Sequence, residues 1–247
     1  MTHTPDAVAQ VLSLRSEGFG ARRIAARTGL PISTVADWLK GRVPRAADGS
    51  ARLCPHCFSS DQLPLEDYTY LLGLYLGDGC ISTHPRGVFK LRIKLDVRYP
   101  GIVESCERAM QAVVPRNRVG RVTREGSWTE VYAYSQHWPC IFPQHGPGRK
   151  HKREIEIRNW QVDLVKKVPE QFVKGLIHSD GCRFDNPGRD GWCAPRYSFS
   201  NRSDDIIALF CWGCELLGLH WTESKHTIYV SRQADVARMD EFIGPKR

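Results

Sequence analysis

Apolar positions in the first forty residues recur every three or four places, in three short bursts divided by glycines. Ala7, Val8, Val11, Leu12 and Arg15 fall on one mostly apolar stripe, which predicts a first helix broken at Gly18 and Gly20. Ala21 to Thr28 predicts a second helix, with Ile24 and Ala25 inward and Gly29 stopping it in a left-handed conformation. Pro31 falls in the turn, and Ser33 caps or opens a third helix. That helix runs to about Lys40 with Val35, Trp38 and Leu39 on its apolar face. From residue 67 the pattern changes, and helical stripes give way to strict alternation. In Phe89-Lys90-Leu91-Arg92-Ile93-Lys94-Leu95 every second residue is apolar and every other one is a cation. The run from Arg196 to Arg202 puts Arg196, Ser198, Ser200 and Arg202 on one face. A hairpin is predicted to turn at Glu125-Gly126, with Arg121 and Arg124 before it and Trp128, Tyr132 and Tyr134 after it.

These shifts predict three regions: a small all-α domain over 1–45, a linker over 46–66, and a larger α+β body over 67–247. The linker carries Pro55 and Pro64 and a Cys54-x-x-Cys57 pair. The chain has 247 residues, 41% hydrophobic and 25% charged, enough to bury a core and unlike a disordered tail. Lys+Arg exceeds Asp+Glu by 35 to 27, a surplus of +8, which points to a polyanionic partner. Nine cysteines, an odd number scattered through a chain this large, argue for a reducing compartment and against a disulfide framework. The N-terminal residues lack a basic end followed by an apolar stretch. The greasiest run, Ile206 to Leu219, is broken by Glu215 and too short to span a bilayer. The expectation is a cytoplasmic protein without a membrane partner.

The Gly-containing turn between two short helices resembles bacterial helix-turn-helix DNA-binding domains, over residues 7–42. The resemblance implies a third helix in a major groove. Ser33, Thr34, Asp37 and Lys40 would face DNA, and Arg22, Arg23, Arg27 and Arg42 would contact phosphates. A three-helix domain that binds another protein is the alternative.

The body contains a repeat. Leu71-Leu72-Gly73-Leu74-Tyr75-Leu76-Gly77-Asp78-Gly79-Cys80 matches Val173-Lys174-Gly175-Leu176-Ile177-His178-Ser179-Asp180-Gly181-Cys182, 102 residues later, with Gly, Leu, Asp, Gly and Cys in one register. Each copy opens as a helix that its Asp-Gly ends. Gly73 and Gly77, and Gly175 and Ser179, lie one turn apart on one face. Small residues at that spacing let two helix backbones approach closely, which offsets the roughly 1 kcal/mol that each helical glycine costs. The two helices are therefore expected to pack on each other and to bring Asp78 and Asp180 together at their C-terminal ends. Two carboxylates there meet each other and two negative dipole ends, an arrangement that a divalent cation would relieve. Mg²⁺ suits these hard oxygen donors, shared with phosphate and water, and could activate a water for phosphodiester hydrolysis.

On these residues the chain resembles the LAGLIDADG homing endonuclease family over about 66–247, with Leu71–Gly79 and Val173–Gly181 standing where the family's motif stands. The resemblance implies a pseudo-two-fold pair of αββαββ units (67–168 and 169–247) whose sheets form a saddle over DNA. It implies a monomer with internal pseudo-symmetry, and metal-dependent cleavage of both strands by Asp78 and Asp180. The motif's other acidic position holds Leu76 and His178, and only 66 residues follow Gly181, so the second unit is expected to be trimmed.

The strand pattern agrees. Lys90, Arg92 and Lys94 form a cationic row at about 7 Å intervals, near the spacing of phosphates along one strand. Arg121, Arg124, Arg196, Ser198 and Arg202 are further DNA-binding candidates. In the basic cluster Gly148 to Arg153, Lys150 and Lys152 are candidates for stabilising the reacting phosphate, with a solvated loop as the alternative. Cys54 and Cys57 are half of a Zn²⁺ knuckle, but no second pair follows at ribbon spacing. Cys211 and Cys214 read as small hydrophobes in a buried helix. The expected function is double-stranded DNA binding with metal-dependent phosphodiester hydrolysis. The alternative is a transcriptional regulator that grips DNA without cutting it. A third class, RNA binding, suits the third helix less well, because the RNA major groove is too narrow for it.

Overall fold

The computed structural model describes residues 5–40, 62–187 and 193–244. The chain divides into two compact units, Met1–Arg52 and Leu53–Arg247.

The first unit has three helices, α1 (Pro5–Ser16), α2 (Ala21–Thr28) and α3 (Ile32–Leu39). Val11, Ile24, Val35 and Trp38 form its core, with Ala7, Val8, Leu14 and Ala25 packed around them. Leu12 is not on the buried stripe and is 47% exposed; Leu14, two residues on, takes the inward position. Gly29 ends α2 at φ 70, ψ 9, the left-handed conformation expected of it. Ser33 does not cap α3. Pro31 holds that position without a side-chain bond, its fixed φ opening the helix, so Ser33 falls inside the first turn.

The second unit is mixed helix and sheet, with two four-stranded antiparallel sheets of matching order. Its first half runs α4 (Leu65–Asp78), β1 (Gly79–His84), β2 (Val88–Asp96), α5 (Pro100–Val113), β3 (Val119–Arg124) and β4 (Trp128–Ser135). A connecting stretch holds α6 (Trp138–Ile141), a 3-10 turn at Lys150–Lys152 and α7 (Asn159–Lys167). The second half repeats the sequence of elements as α8 (Pro169–Asp180), β5 (Gly181–Pro187), β6 (Cys193–Ser200), α9 (Asp204–Leu216), β7 (Thr222–Ser224) and β8 (Thr227–Val230), followed by α10 (Gln233–Ile243). The sheets are ordered β1-β2-β4-β3 and β5-β6-β8-β7. β7 and β8 span three and four residues against six and eight in β3 and β4, so the second half is the shorter one.

Helices α4 and α8 form the centre. Tyr68 to Leu76 are buried on every side of α4, as are Phe172, Val173 and Gly175 to His178 on α8. A Cβ on Gly73 would lie 2.5 Å from the Phe172 carbonyl oxygen, and one on Gly175 would strike the Tyr70 carbonyl. The small faces therefore meet backbone to backbone. Gly79 and Gly181 end these helices in extended rather than left-handed geometry (φ −78 and −101). Glycine is needed there because a Cβ would fall 2.5 Å from Tyr75 Cα or 2.6 Å from Ile177 Cα.

A buried polar chain ties the connecting stretch to α4. Gln144 Nε2 donates to Gln161 Oε1 (2.6 Å), Gln161 Nε2 to the Tyr68 hydroxyl (2.8 Å), and that hydroxyl to the Ile141 carbonyl (3.0 Å). The Ile155 amide donates to Asp205 on α9 (2.8 Å). Both ends of the basic 148–153 segment are thus anchored. Cys211 and Cys214 are buried in α9, and burial raises both thiol pKa values, Cys211 to about 11. No helix among the described residues is long and apolar enough to cross a membrane.

Candidate nucleic-acid interface and acid pair

Strand register divides each sheet into a face covered by helices and an open face. On the first sheet Leu91, Ile93 and Leu95 pack inward with Val131 and Ala133. Lys90, Arg92 and Lys94 lie on the open face opposite Tyr134, Tyr132 and Glu130 of β4. Lys94 Nζ sits 4.4 Å from the centre of the Trp128 ring, and Lys90 Nζ 4.2 Å from that of Tyr132. The row is not free of anions. Lys90 Nζ binds Glu130 at 2.7 Å with both side chains largely buried, so its charge is spent inside the protein. Arg92 and Lys94 remain as the cations of β2 that a polyanion would meet.

Arg121 also departs from expectation. It pairs in register with buried Val131, which puts it on the helix side, and its guanidinium binds Glu107 of α5. Arg124, opposite Trp128, is exposed on the open side. On the second sheet Tyr197 and Phe199 face inward. Arg196 and Ser198 are half-buried on the open face, next to Phe184 and Cys182 of β5. In the first unit Ser33, Asp37 and Lys40 are exposed on α3 and Thr34 is half-buried, away from Val35 and Trp38. Arg42, Cys54 and Cys57 lie outside the described residues.

Each acid lies against the other's helix at the junction of the halves. A Cβ on Gly77 would lie 2.9 Å from Asp180 Oδ2, so the Asp180 carboxylate rests beside the last turn of α4. Asp78 in turn borders a small cleft with His178 and Ser179 of α8. Asn201, just past β6, donates from Nδ2 to Asp180 Oδ2 at 2.7 Å. Its position continues the buried register of Phe199, and a polar residue there was the sequence signal for it. His178, at a motif position, is buried with Nδ1 2.8 Å from the Tyr70 hydroxyl.

Lys150 and Lys152 part company. Lys152 is exposed on its 3-10 turn. Lys150 turns inward, and its ammonium donates to the carbonyls of Leu76 and Gly77 (3.0 Å each) and of Tyr75, which also accepts the Gly79 amide, at the end of α4. Burial pushes its pKa down to about 8, while the charges of Asp180 and Asp78 pull it up. The Lys150 ammonium is thus a cation within electrostatic range of both carboxylates, whose mutual repulsion a divalent ion was expected to relieve. The cleft around it, about 470 Å³, also holds Asp180, Asn201, Arg149, His151, Arg153 and Arg202. Arg202, two residues past β6, thus lines the Asp180 cleft and does not lie on the strand. His151 and His145 both have lowered pKa values, from desolvation first and then from neighbouring cations.

Among the described residues no three His, Cys, Asp or Glu gather at one point. Asp78 and Asp180 would hold a divalent ion through two carboxylates at most, with other ligands from outside the chain. That donor set fits a hard ion such as Mg²⁺, which keeps much of its water.

No protein-family model and no curated protein sequence matches the chain. Among solved structures it is similar to the homing endonuclease I-WcaI bound to its DNA recognition sequence, at 15% identity, covering 75% of this chain and 83% of that one, with a TM-score of 0.47. It is similar to I-DmoI in complex with DNA and Mn, at 13% identity, covering 73% and 98%, with a TM-score of 0.46. It is also similar to full-length DUF199/WhiA from Thermatoga maritima, at 17% identity and a TM-score of 0.46, covering 74% of this chain and 56% of that one. At these identities and scores, the chemistry must be argued from the chain's own residues.

Proposed function

We propose that the chain binds double-stranded DNA and hydrolyses its backbone with a divalent ion, Mg²⁺ for preference, at Asp78 and Asp180. The observation that carries this reading is the convergence of the two acids at the ends of α4 and α8, beside the Lys150 ammonium. DNA would lie over a saddle formed by the open sheet faces, meeting Arg92, Lys94, Arg124, Arg196 and Ser198. Lys150 would act as a positioning and charge-balancing cation at the acids, and Arg202 would face the phosphate. The three-helix unit would add a second grip, with Ser33, Thr34, Asp37 and Lys40 of α3 in a major groove and the arginines of α2 on phosphates.

One observation favours a second reading, a regulator that binds without cutting. Lys150 puts an ammonium at the end of α4, where the charges of Asp180 and Asp78 raise its pKa, so the two acids have a cation near them that belongs to the chain itself.

The test uses a duplex selected by repeated rounds of binding to the full chain. Wild type, Asp78→Asn and Asp180→Asn are compared on it with Mg²⁺. The cleaving reading expects wild type to cut and each variant to lose cutting while binding at least as tightly, since a carboxylate near phosphate repels it. Wild type that binds this duplex, makes no cut and keeps the same affinity with and without Mg²⁺ leaves the regulator reading in its place.

A further inference from the structure

The two acids are related by the repeat, but their surroundings are not, and the difference is one of charge. Register fixes the correspondence. Gly79 pairs with Ile93 and Gly181 with Phe199, so three residues further along the chain stand Asp96, the last residue of β2, and Arg202, two residues past β6. The charge at the matched position is reversed. Arg202 lines the cleft of Asp180, and Asp96 lines that of Asp78. Among the described residues Lys150 has no counterpart either. It comes from the segment after β4, whereas β8 is followed by Ser231-Arg232 and directly by α10, with no lysine.

The two clefts differ in size as well. That of Asp180 has about 470 Å³ and holds five further cationic or titratable basic side chains beside Lys150: His145, Arg149, His151, Arg153 and Arg202. That of Asp78 has about 230 Å³. Among the described residues its lining includes Asp96, Tyr99, His178 and Ser179 and contains no lysine or arginine. Arg98 is nearby but engaged, its Nε and Nη2 holding the Asp96 carboxylate at 2.6–3.1 Å.

A phosphodiester is an anion. In the first cleft it meets cations and a carboxylate steadied by Asn201; in the second, tighter one it meets Asp78 and an Asp96 carboxylate that Arg98 already pairs, and no lysine or arginine in the described lining. Resting on the hydrolytic reading above, we propose that the chain nicks duplex DNA: only the strand whose phosphate enters the Asp180 cleft is cut at an appreciable rate. Water supplies the oxygen of the new P–O bond, and the opposite P–O bond of the backbone breaks. One proton of that water ends on the departing oxygen and the other on the terminal phosphate or in solvent. Arg202 stabilises the charge that builds on the phosphate while Lys150 balances the carboxylates behind it, and the other strand's phosphate has no such cation and meets Asp96.

The experiment uses the full chain and a duplex obtained by selection for binding, with a different fluorophore on each strand and Mg²⁺ present. The expected result is that one strand is cut roughly tenfold faster or more, a difference that one charge a few ångströms away is sufficient to cause. In a supercoiled plasmid carrying the same site, open circles should accumulate before linear DNA. Asp96→Asn removes an anion and releases Arg98, so it should raise the rate on the slow strand several-fold, a gain that misfolding cannot produce. Arg202→Gln should slow the fast strand. Equal rates on the two strands of wild type, or no gain on the slow strand in Asp96→Asn, overturn the nicking proposal while leaving hydrolysis standing. No cutting of either strand overturns both.

Discussion

Replacing Gly175 with alanine tests the contact on which the whole site depends. A Cβ there would strike the Tyr70 carbonyl oxygen and lie 3.0 Å from both Gly73 Cα and Leu74 N. On the facing helix, a Cβ at Gly73 would be 2.5 Å from Phe172 O and 2.8 Å from Leu176 N. Ordinary contacts begin near about 3.5 Å, so the helices would have to part by about 1 Å. Every atom struck is backbone, which cannot rotate away. Alanine gains about 1 kcal/mol of helix propensity over glycine. Overpacking costs about 1–3 kcal/mol, with the upper end apt for a backbone collision, so the net loss is about 2 kcal/mol. For a unit of this size that lowers the melting temperature by about 4–8 °C. Gly73→Ala should behave alike. The double variant should lose less than the sum, because helices already parted by the first methyl accept the second more cheaply. Gly77→Ala is the contrast. Its collision is mainly with the Ser179 side chain, so Ser179→Gly should restore much of the loss. Thermal unfolding followed by circular dichroism measures all five proteins. A Gly175→Ala protein as stable as wild type would show that α4 and α8 are not held at this distance, and the placement of the two acids would fall with it.

Salt dependence should sort the cations of β2: Arg92→Gln and Lys94→Gln should each lower the slope of log affinity against log salt by about one, whereas Glu130→Gln, which frees Lys90, should raise it. Equal effects from Arg92 and Lys90 substitutions would contradict the Lys90–Glu130 pairing. Deleting residues 1–45 should weaken DNA binding while the remaining unit keeps its melting transition, and unchanged affinity would remove the three-helix unit as an anchor. Lys150 should leave a mark on stability against pH. Its folded pKa is about 8, below the ordinary 10.5, so between these values the unfolded chain holds a proton that the folded chain has released. Stability should therefore rise with pH across that window, and urea unfolding at pH 7.5 and 9.5 should show the rise in wild type but not in Lys150→Met. Parallel curves for the two would mean that the ammonium is not buried at the end of α4.

Local spacing along the chain was enough to determine several of the elements and the centre of the fold. Three helices with a left-handed Gly29, the hairpin at Glu125-Gly126 and the pairing of the glycine-faced helices follow from period and residue size, because each concerns neighbours within one or two turns or a repeat of the same motif. The repeat also marked Asp78 and Asp180, since two acids in matched register at matched helix ends are visible without any knowledge of distance. The partners of the charges were not legible. Lys90, Arg92 and Lys94 read as one uniform row, yet Glu130 reaches Lys90 from a strand forty residues away. Arg121 looked like its neighbours, yet its register turns it to Glu107. Lys150 and Lys152 sit two residues apart in one basic run, and only the anchoring of that run at Gln144 and Ile155 carries the first to the α4 carbonyls and leaves the second in solvent. Side-chain period is a property of a segment, whereas a charge is neutralised by whatever the fold brings within a few ångströms of it. The tertiary structure alone decides that, and with it the inequality of two acids that the sequence presents as equals.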